Sequence, residues 1–265
     1  MRRIVALFLG ICLVLPVAAL AQDAPSPMTW LAFSQLADGK SGRDGVRVAL
    51  QNKELMDQLV ADGVINGYGM AVPANHRQDD DANFMEWVSV NDWGSVGTWV
   101  GGIIANRAKI GDDEVAARDK EFMETFVPGS HYDEIARNVI FHPGTPEALS
   151  EIVVFYVGQY TVRDGMDSAF MELIQQEAVP VAEQLVADGV AIAYGVHVPE
   201  IHGVDGWTHR FWWALKGLDG IGKLKAAYAS SGSASQSKVD DLTVPGSHED
   251  TIWMSLFNSA QAADD

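Results

Sequence analysis

Gln58-Leu-Val-Ala-Asp-Gly-Val64 returns letter for letter as Gln184 to Val190, 126 positions downstream. From this pair outward, residues 58–87 align with 184–213 without a gap, with 14 identities in 30 positions. A second anchor, Val127-Pro-Gly-Ser-His131, returns as Val244 to His248 at an offset of 117, so the first copy is nine residues longer in between. Repetition on this scale reads as one supersecondary unit written twice, each copy burying what the other leaves exposed.

The order of elements follows from periodicity. In the second copy, Glu151 to Val162 is dense in β-branched and aromatic residues and reads as a strand buried on both faces. Residues 166–188 carry Phe170, Leu173, Ile174, Val181, Leu185 and Val186 at helical spacing. Pro180 is expected to kink or break that helix and Gly189 to stop it. Val190 to Val198 and Trp207 to Leu215 read as strands, 217–229 as a second helix, 230–240 as a Ser/Gly-rich loop, and Thr251 to Phe257 as the last strand. The first copy repeats this order, with strands near 29–37, 64–72, 84–91 and 134–141 and helices near 45–62 and 93–107. It adds a helical stretch at 113–125.

Each copy is therefore β-α-β-β-α-β, the split ferredoxin-like motif. A sheet with helices on one face leaves its other face bare, and two copies solve this by packing those faces together. The expected fold class is α+β: two tandem ferredoxin-like modules packed sheet-to-sheet as a barrel within one chain. On element order and duplication, the chain resembles the dimeric α+β barrel superfamily over nearly all of its mature length. The expected organisation is a signal peptide at 1–21, a first module at 27–142, a linker at 143–150, a second module at 151–257 and a tail at 258–265. Relatives by fold, which the resemblance brings in, include cofactor-free monooxygenases and haem-dependent chlorite dismutase-like and dye-decolourising peroxidase-like proteins.

Residues 1–21 have the three parts of a secretory signal: Arg2 and Arg3, the apolar run Ile4 to Val17, and the small-x-small site Ala19-Leu20-Ala21. The run is shorter than the ~18 residues of a spanning helix, so the expectation is an extracytoplasmic protein, periplasmic or secreted, without stable membrane insertion. Cys12 is the only cysteine, which removes disulfides, cysteine–zinc sites and thiol nucleophiles from the mature chain. Loss of Arg2 and Arg3 takes the formal charge from −18 to −20, a field that repels nucleic acid and anionic membranes. The acidic clusters read as a solvated surface; Asp79, Asp81 and Asn83 lack the central glycine and distal Glu of a calcium loop. Nucleophile-elbow, zincin, Walker and dinucleotide fingerprints are all missing from the sequence.

Candidate site residues come from the matched and unmatched polar positions. His76, His202, His131 and His248 are matched, and they lie where the second strand ends and the fourth begins, at one edge of the sheet. Within a copy those strands are three spacings apart, about 14 Å, too far for a shared ion. A pseudo-twofold relation would instead bring His76 to His248, or His202 to His131, where Asp79 or Asp205 could complete a divalent-metal set. The plainer reading is hydrogen bonding to loop backbone. The hairpin of the second copy adds His197, Trp207, His209, Arg210, Trp212 and Trp213, which align without a gap to Ala71, Asp81, Asn83, Phe84, Glu86 and Trp87. His209, Phe211 and Trp213 share one face by alternation. With the matched Tyr68 and Tyr194, the candidate ligand set is His209, Arg210, Trp213, His197, Tyr194 and Tyr68, suited to a small, mainly apolar molecule. The same residues would serve equally as core. The leading expectation is a small-molecule binder with no cofactor. The alternatives are an enzyme of the same fold, cofactor-free or with haem (on His209 or His197) or a divalent metal, and a non-catalytic structural module.

Overall fold

The computed structural model describes residues 26–74, 82–201, 206–230 and 233–260. Its strands are β1 Met28–Ser34, β2 Ile65–Pro73, β3 Phe84–Val90, β4 Tyr132–His142, β5 Val154–Tyr160, β6 Ala191–Ile201, β7 His209–Leu215 and β8 Glu249–Asn258. They form one closed ring in the order β1-β3-β2-β8-β5-β7-β6-β4, antiparallel throughout. Two stretches of the ring, β4-β1-β3-β2 and β6-β7-β5-β8, each carry the fourth, first, third and second strand of their half as neighbours. The β2–β8 and β4–β6 ladders join them, so no strand of the ring offers an unpaired edge. The fold class is thus α+β with a closed antiparallel barrel.

The helices lie outside the ring. The first half has α1 Gly42–Ala49, a 3₁₀ turn Leu50–Asn52, α2 Lys53–Ala61, α3 Trp93–Arg107 and α4 Asp112–Thr125. A short α5, Pro146–Leu149, stands where the sequence suggests a linker, and its Ala148 and Leu149 pack beside Ile192, Ala214 and Trp212. The second half has α6 Asp167–Leu173, a π turn Ile174–Ala178, α7 Val179–Ala187, α8 Asp219–Ser230 and α9 Ser233–Leu242. Pro180 accounts for the π turn: it has no N–H for the carbonyl of Gln176, and its ring needs room there, so the preceding turn widens. The loop expected at 230–240 is instead α9. Val239 and Leu242 pack on the second-half core and Lys238 pairs with Glu177, contacts that override the Ser/Gly-rich composition.

Alternation assigns the two faces. Outward residues form a sheet–helix core in each half: Met28, Ile65, Tyr68, Phe84 and Val88 against Val48, Met56 and Leu59; and Val154, Tyr194, Phe211 and Trp213 against Phe170, Leu185 and Leu224. Inward residues fill the lumen, among them Leu31, Phe33, Ala71, Met85, Trp87 and Trp253 at one place and Ile192, Ala193, Ala214 and Trp212 at another.

The gapless sequence match fails by one residue across the second hairpin. Gly69 faces Trp87 in the ladder, and its counterpart Gly195 faces Trp212, not Trp213. The connection from β6 to β7 is one residue shorter than that from β2 to β3, so His209 corresponds to Phe84, Arg210 to Met85 and Trp212 to Trp87. A slip of one residue exchanges faces. Trp212 therefore points into the lumen and Trp213 into the helix layer.

The two matched glycines exist to let these indoles lie across them. A Cβ on Gly69 would stand 2.5 Å from the Phe257 carbonyl and 2.7 Å from the Trp87 ring; on Gly195, 2.8 Å from Trp212 and 2.9 Å from the Ile140 carbonyl. Backbone cannot move aside as a side-chain tip can. Gly69→Ala and Gly195→Ala should each cost about 1–3 kcal/mol by overpacking, whereas Gly97→Ala on the open side of α3 should stabilise by about 0.5–1 kcal/mol. Urea melts of the three variants check this; equal losses at all three positions would contradict it.

Candidate functional site

The six candidate ligand residues do not share one room. Tyr68 lies in the first sheet–helix core, its hydroxyl donating to Asp57 Oδ1 at 2.6 Å. Tyr194 and Trp213 lie in the second core, Tyr194 stacked on His142 at 5.3 Å. His209 faces the same layer, its ring 4.9 Å from Phe170 and its Nδ1 3.0 Å from Thr208 Oγ1. Burial lowers its pKa. Only Arg210 and His197 point into the lumen. They are ladder neighbours on β7 and β6 and alternate with outward Phe211 and Val196.

The lumen holds the most deeply buried ion pair among the described residues. Arg210 Nη1 donates to Glu134 Oε2 at 2.8 Å, the side chains being 8% and 2% exposed. Glu134 is on β4, so the bond reaches past the intervening β6 and ties the two halves of the ring together. Arg210 also donates to Gln159 Oε1 at 3.2 Å and lies 4.0 Å over the ring of Trp207, whose Nε1 donates to Glu134 Oε1 at 3.3 Å. Glu134 and Gln159 escaped the sequence reading. The signal available was alternation: Gln159 shares the inward face of β5 with Phe155 and Val157, and Glu134 shares that of β4 with Ala136 and Asn138.

Beside this group stands His197, 5% exposed, with neither ring nitrogen hydrogen-bonded among the described residues. Its ring is 5.8 Å from that of Trp212. Burial, aided by the Arg210 charge, pushes its pKa down to about 3, so the imidazole is neutral at ordinary pH. Trp212 crosses β6 over Gly195 and donates from Nε1 to Asn138 Oδ1 on β4 at 3.2 Å.

The matched histidines are dispersed. His131 bonds Ser34 Oγ at 3.2 Å through Nδ1 and Asp133 Oδ2 at 3.3 Å through Nε2. Trp30 Nε1 donates to the other oxygen of Asp133, and that carboxylate raises the His131 pKa. Burial pushes neighbouring Glu86 up to about 7. His248 bonds Asp250 Oδ1 at 3.1 Å and stacks on Tyr160 at 4.5 Å. Each His-x-Asp pair thus serves the start of its own strand. His76, His202, Asp79 and Asp205 lie outside the described residues. Among those described, no three His, Cys, Asp or Glu side chains are placed to hold a metal ion, and no helix is long and apolar enough to cross a membrane.

A haem needs an imidazole nitrogen facing a planar slot. Phe170 covers the ring of His209, while Trp212 and Arg210 crowd His197. Two grooves among the described residues lie outside the barrel, one along α6, the π turn and α9 and one between the 3₁₀ turn Leu50–Asn52 and α4, and neither is lined by a histidine. The residues in this conformation do not fit a haem.

No family model and no curated protein matches this sequence. Solved structures do match its fold. A protein from Lactobacillus acidophilus NCFM, provisionally named as a monooxygenase, superposes with a TM-score of 0.59 at 10% identity, over 89% of this chain and 97% of that one. A Fusobacterium nucleatum protein named in the same way gives 0.55 at 9% identity, over 88% and 94%. A third, provisionally named as a chlorite dismutase, gives 0.50 at 8% identity, over 89% and 96%. At such identities the likeness carries the α+β barrel fold and none of the chemistry.

Two measurements test the lumen's electrostatics. Glu134→Ala leaves Arg210 buried without its partner and should cost about 3–5 kcal/mol, most of it recovered in the double variant Glu134→Leu/Arg210→Met. Full stability of the single variant would show that solvent reaches the pair. His197 is neutral when folded but takes a proton near pH 6.5 when unfolded, so its contribution is present above about pH 6.5 and is lost as pH falls toward 3. Relative to His197→Gln, the wild type should lose stability across that window with a slope of up to about 1.4 kcal/mol per pH unit. Parallel pH profiles would place the imidazole in water.

Proposed function

We propose that this is an extracytoplasmic α+β-barrel enzyme that takes a small, mainly apolar, planar molecule into its lumen and oxidises it in the manner of a cofactor-free monooxygenase. The observation that carries the reading is the lumen itself, where a neutral, unpartnered His197 stands beside Trp212 and a buried charge pair, and Trp87 and Trp253 line another part of the wall. A barrel of this strand number is filled by its side chains or holds one small ligand, so the tryptophans here shift to admit one. An apolar wall with a few buried polar groups is the general form of a small-molecule site. Two solved structures that share the barrel are provisionally named as monooxygenases, which makes this the first chemistry to test.

In such a reaction the substrate supplies both electrons: one atom of dioxygen enters it, and the other leaves as water with two substrate hydrogens. A neutral imidazole can hold the substrate's acidic hydrogen by accepting it in a hydrogen bond. The secretory signal and the duplication of one module belong to the same proposal. They rest on residues 1–21 and on the matched stretches 58–64 and 184–190.

The test uses mature protein from Gln22 onward with 1,4-dihydroxynaphthalene under ¹⁸O₂. Oxygen uptake above the uncatalysed rate, with one ¹⁸O in the product, is expected, and His197→Phe should lower it at least about tenfold. Uptake at the uncatalysed rate would overturn the enzyme reading and leave lumen binding to be judged by titration.

A further inference from the structure

The two halves of the lumen solve one packing problem differently. In the second half, Trp212 lies over Gly195 and its Nε1 bonds Asn138 Oδ1 on the strand beyond. In the first half, Trp87 lies over Gly69 in the same way. The ladder positions that make Gly69 the counterpart of Gly195 also make Ser255 the counterpart of Asn138. A serine carries its oxygen one bond nearer the backbone than an asparagine does. Trp87 Nε1 and Ser255 Oγ are both buried, and neither has a hydrogen bond among the described residues. The bond that closes one half is open in the other.

His197 adds to this. Its counterpart is Ala71, the ladder partner of Ser255, so the first half has a methyl group where the second has an imidazole. Among the described residues, the first-half wall thus presents Trp87 Nε1 and Ser255 Oγ without partners, and the opposite wall presents the two nitrogens of His197. A buried polar atom left unmet costs about 1–3 kcal/mol, which favours a polar group that reaches Trp87 and Ser255 together.

Resting on the lumen reading above, we propose that this site binds the hydroxyl edge of a neutral, planar, otherwise apolar molecule, a phenol in chemical class, between Trp87 and Ser255. The indole can only donate, and the serine can donate or accept. A hydroxyl is the simplest group that accepts from the first while donating to the second. An anion is disfavoured, because the only lumen cation described here, Arg210, already faces Glu134. The naphthalene-sized body stacks on the tryptophan walls, whose side chains shift to admit it.

The experiment titrates the mature chain with naphthalene, 2-naphthol and 2-naphthoate, reading tryptophan fluorescence. 2-Naphthol should bind about tenfold tighter than naphthalene, the worth of one or two hydrogen bonds, and tighter than 2-naphthoate. Ser255→Ala, a small change with little risk to folding, should reduce the naphthol preference to about threefold or less without altering naphthalene binding. Equal binding of naphthol and naphthalene would mean that water meets these atoms; it would overturn the inference while leaving the lumen reading standing. Naphthoate binding tightest would overturn it by showing an unmatched positive charge. Binding of none of the three would overturn both readings.

Discussion

Everything in this structure depends on the ring closing. A four-stranded sheet backed by helices has one apolar face without cover and two edges without partners. The β2–β8 and β4–β6 ladders remove both liabilities at once, because the edge strands of each half become the neighbours of the other's. The same closure creates an enclosed volume reached from every strand. Polar groups placed there cannot turn to water, and this explains why Glu134, Arg210, Gln159 and Trp207 satisfy one another across strands.

The outer layers and the lumen obey different rules. Outside, the halves are built alike: apolar strand residues meet apolar helix faces, and the matched Tyr68 and Tyr194 occupy the same level of each core. Inside, corresponding positions diverge in polarity. Phe33 stands against Gln159, Ala71 against His197 and Met85 against Arg210, while Glu134 and Asn138 stand against Thr251 and Ser255. The fold needs only that the lumen be filled, and apolar residues would fill it at lower desolvation cost.

The sequence made the strand order legible because period-two runs and the repeated Gln-Leu-Val-Ala-Asp-Gly-Val fix where elements start and stop. It misread α9, since Lys238, Val239 and Leu242 gain helical order only through contacts with distant residues. Its larger error was the pairing of Trp87 with Trp213. Letter identity favoured a gapless match, but backbone register decides which way a side chain points, and a single missing residue in the β6–β7 connection reversed it. The candidate set also joined Arg210 and His197 to His209 and Trp213, although alternation along β7 puts the two pairs on opposite faces of the sheet.

The register also separates what is structural from what calls for another explanation. Trp87 and Trp212 are held alike, each requiring a glycine beneath it, so neither tryptophan by itself marks a site. The difference between them does. One indole N–H has its acceptor and the other, among the described residues, does not, although each ring lies over its glycine in the same way. Packing cannot be the reason, since an asparagine at 255 would repeat a solution the protein already uses at 138. A small residue has been placed where a larger one would complete the hydrogen bonding, and an imidazole without partners stands in the same lumen. Buried polar atoms are met by protein groups, by ordered water or by a ligand, and it is the broken pairing at Ser255, not the mere presence of an unmet atom, that favours a ligand inside the ring.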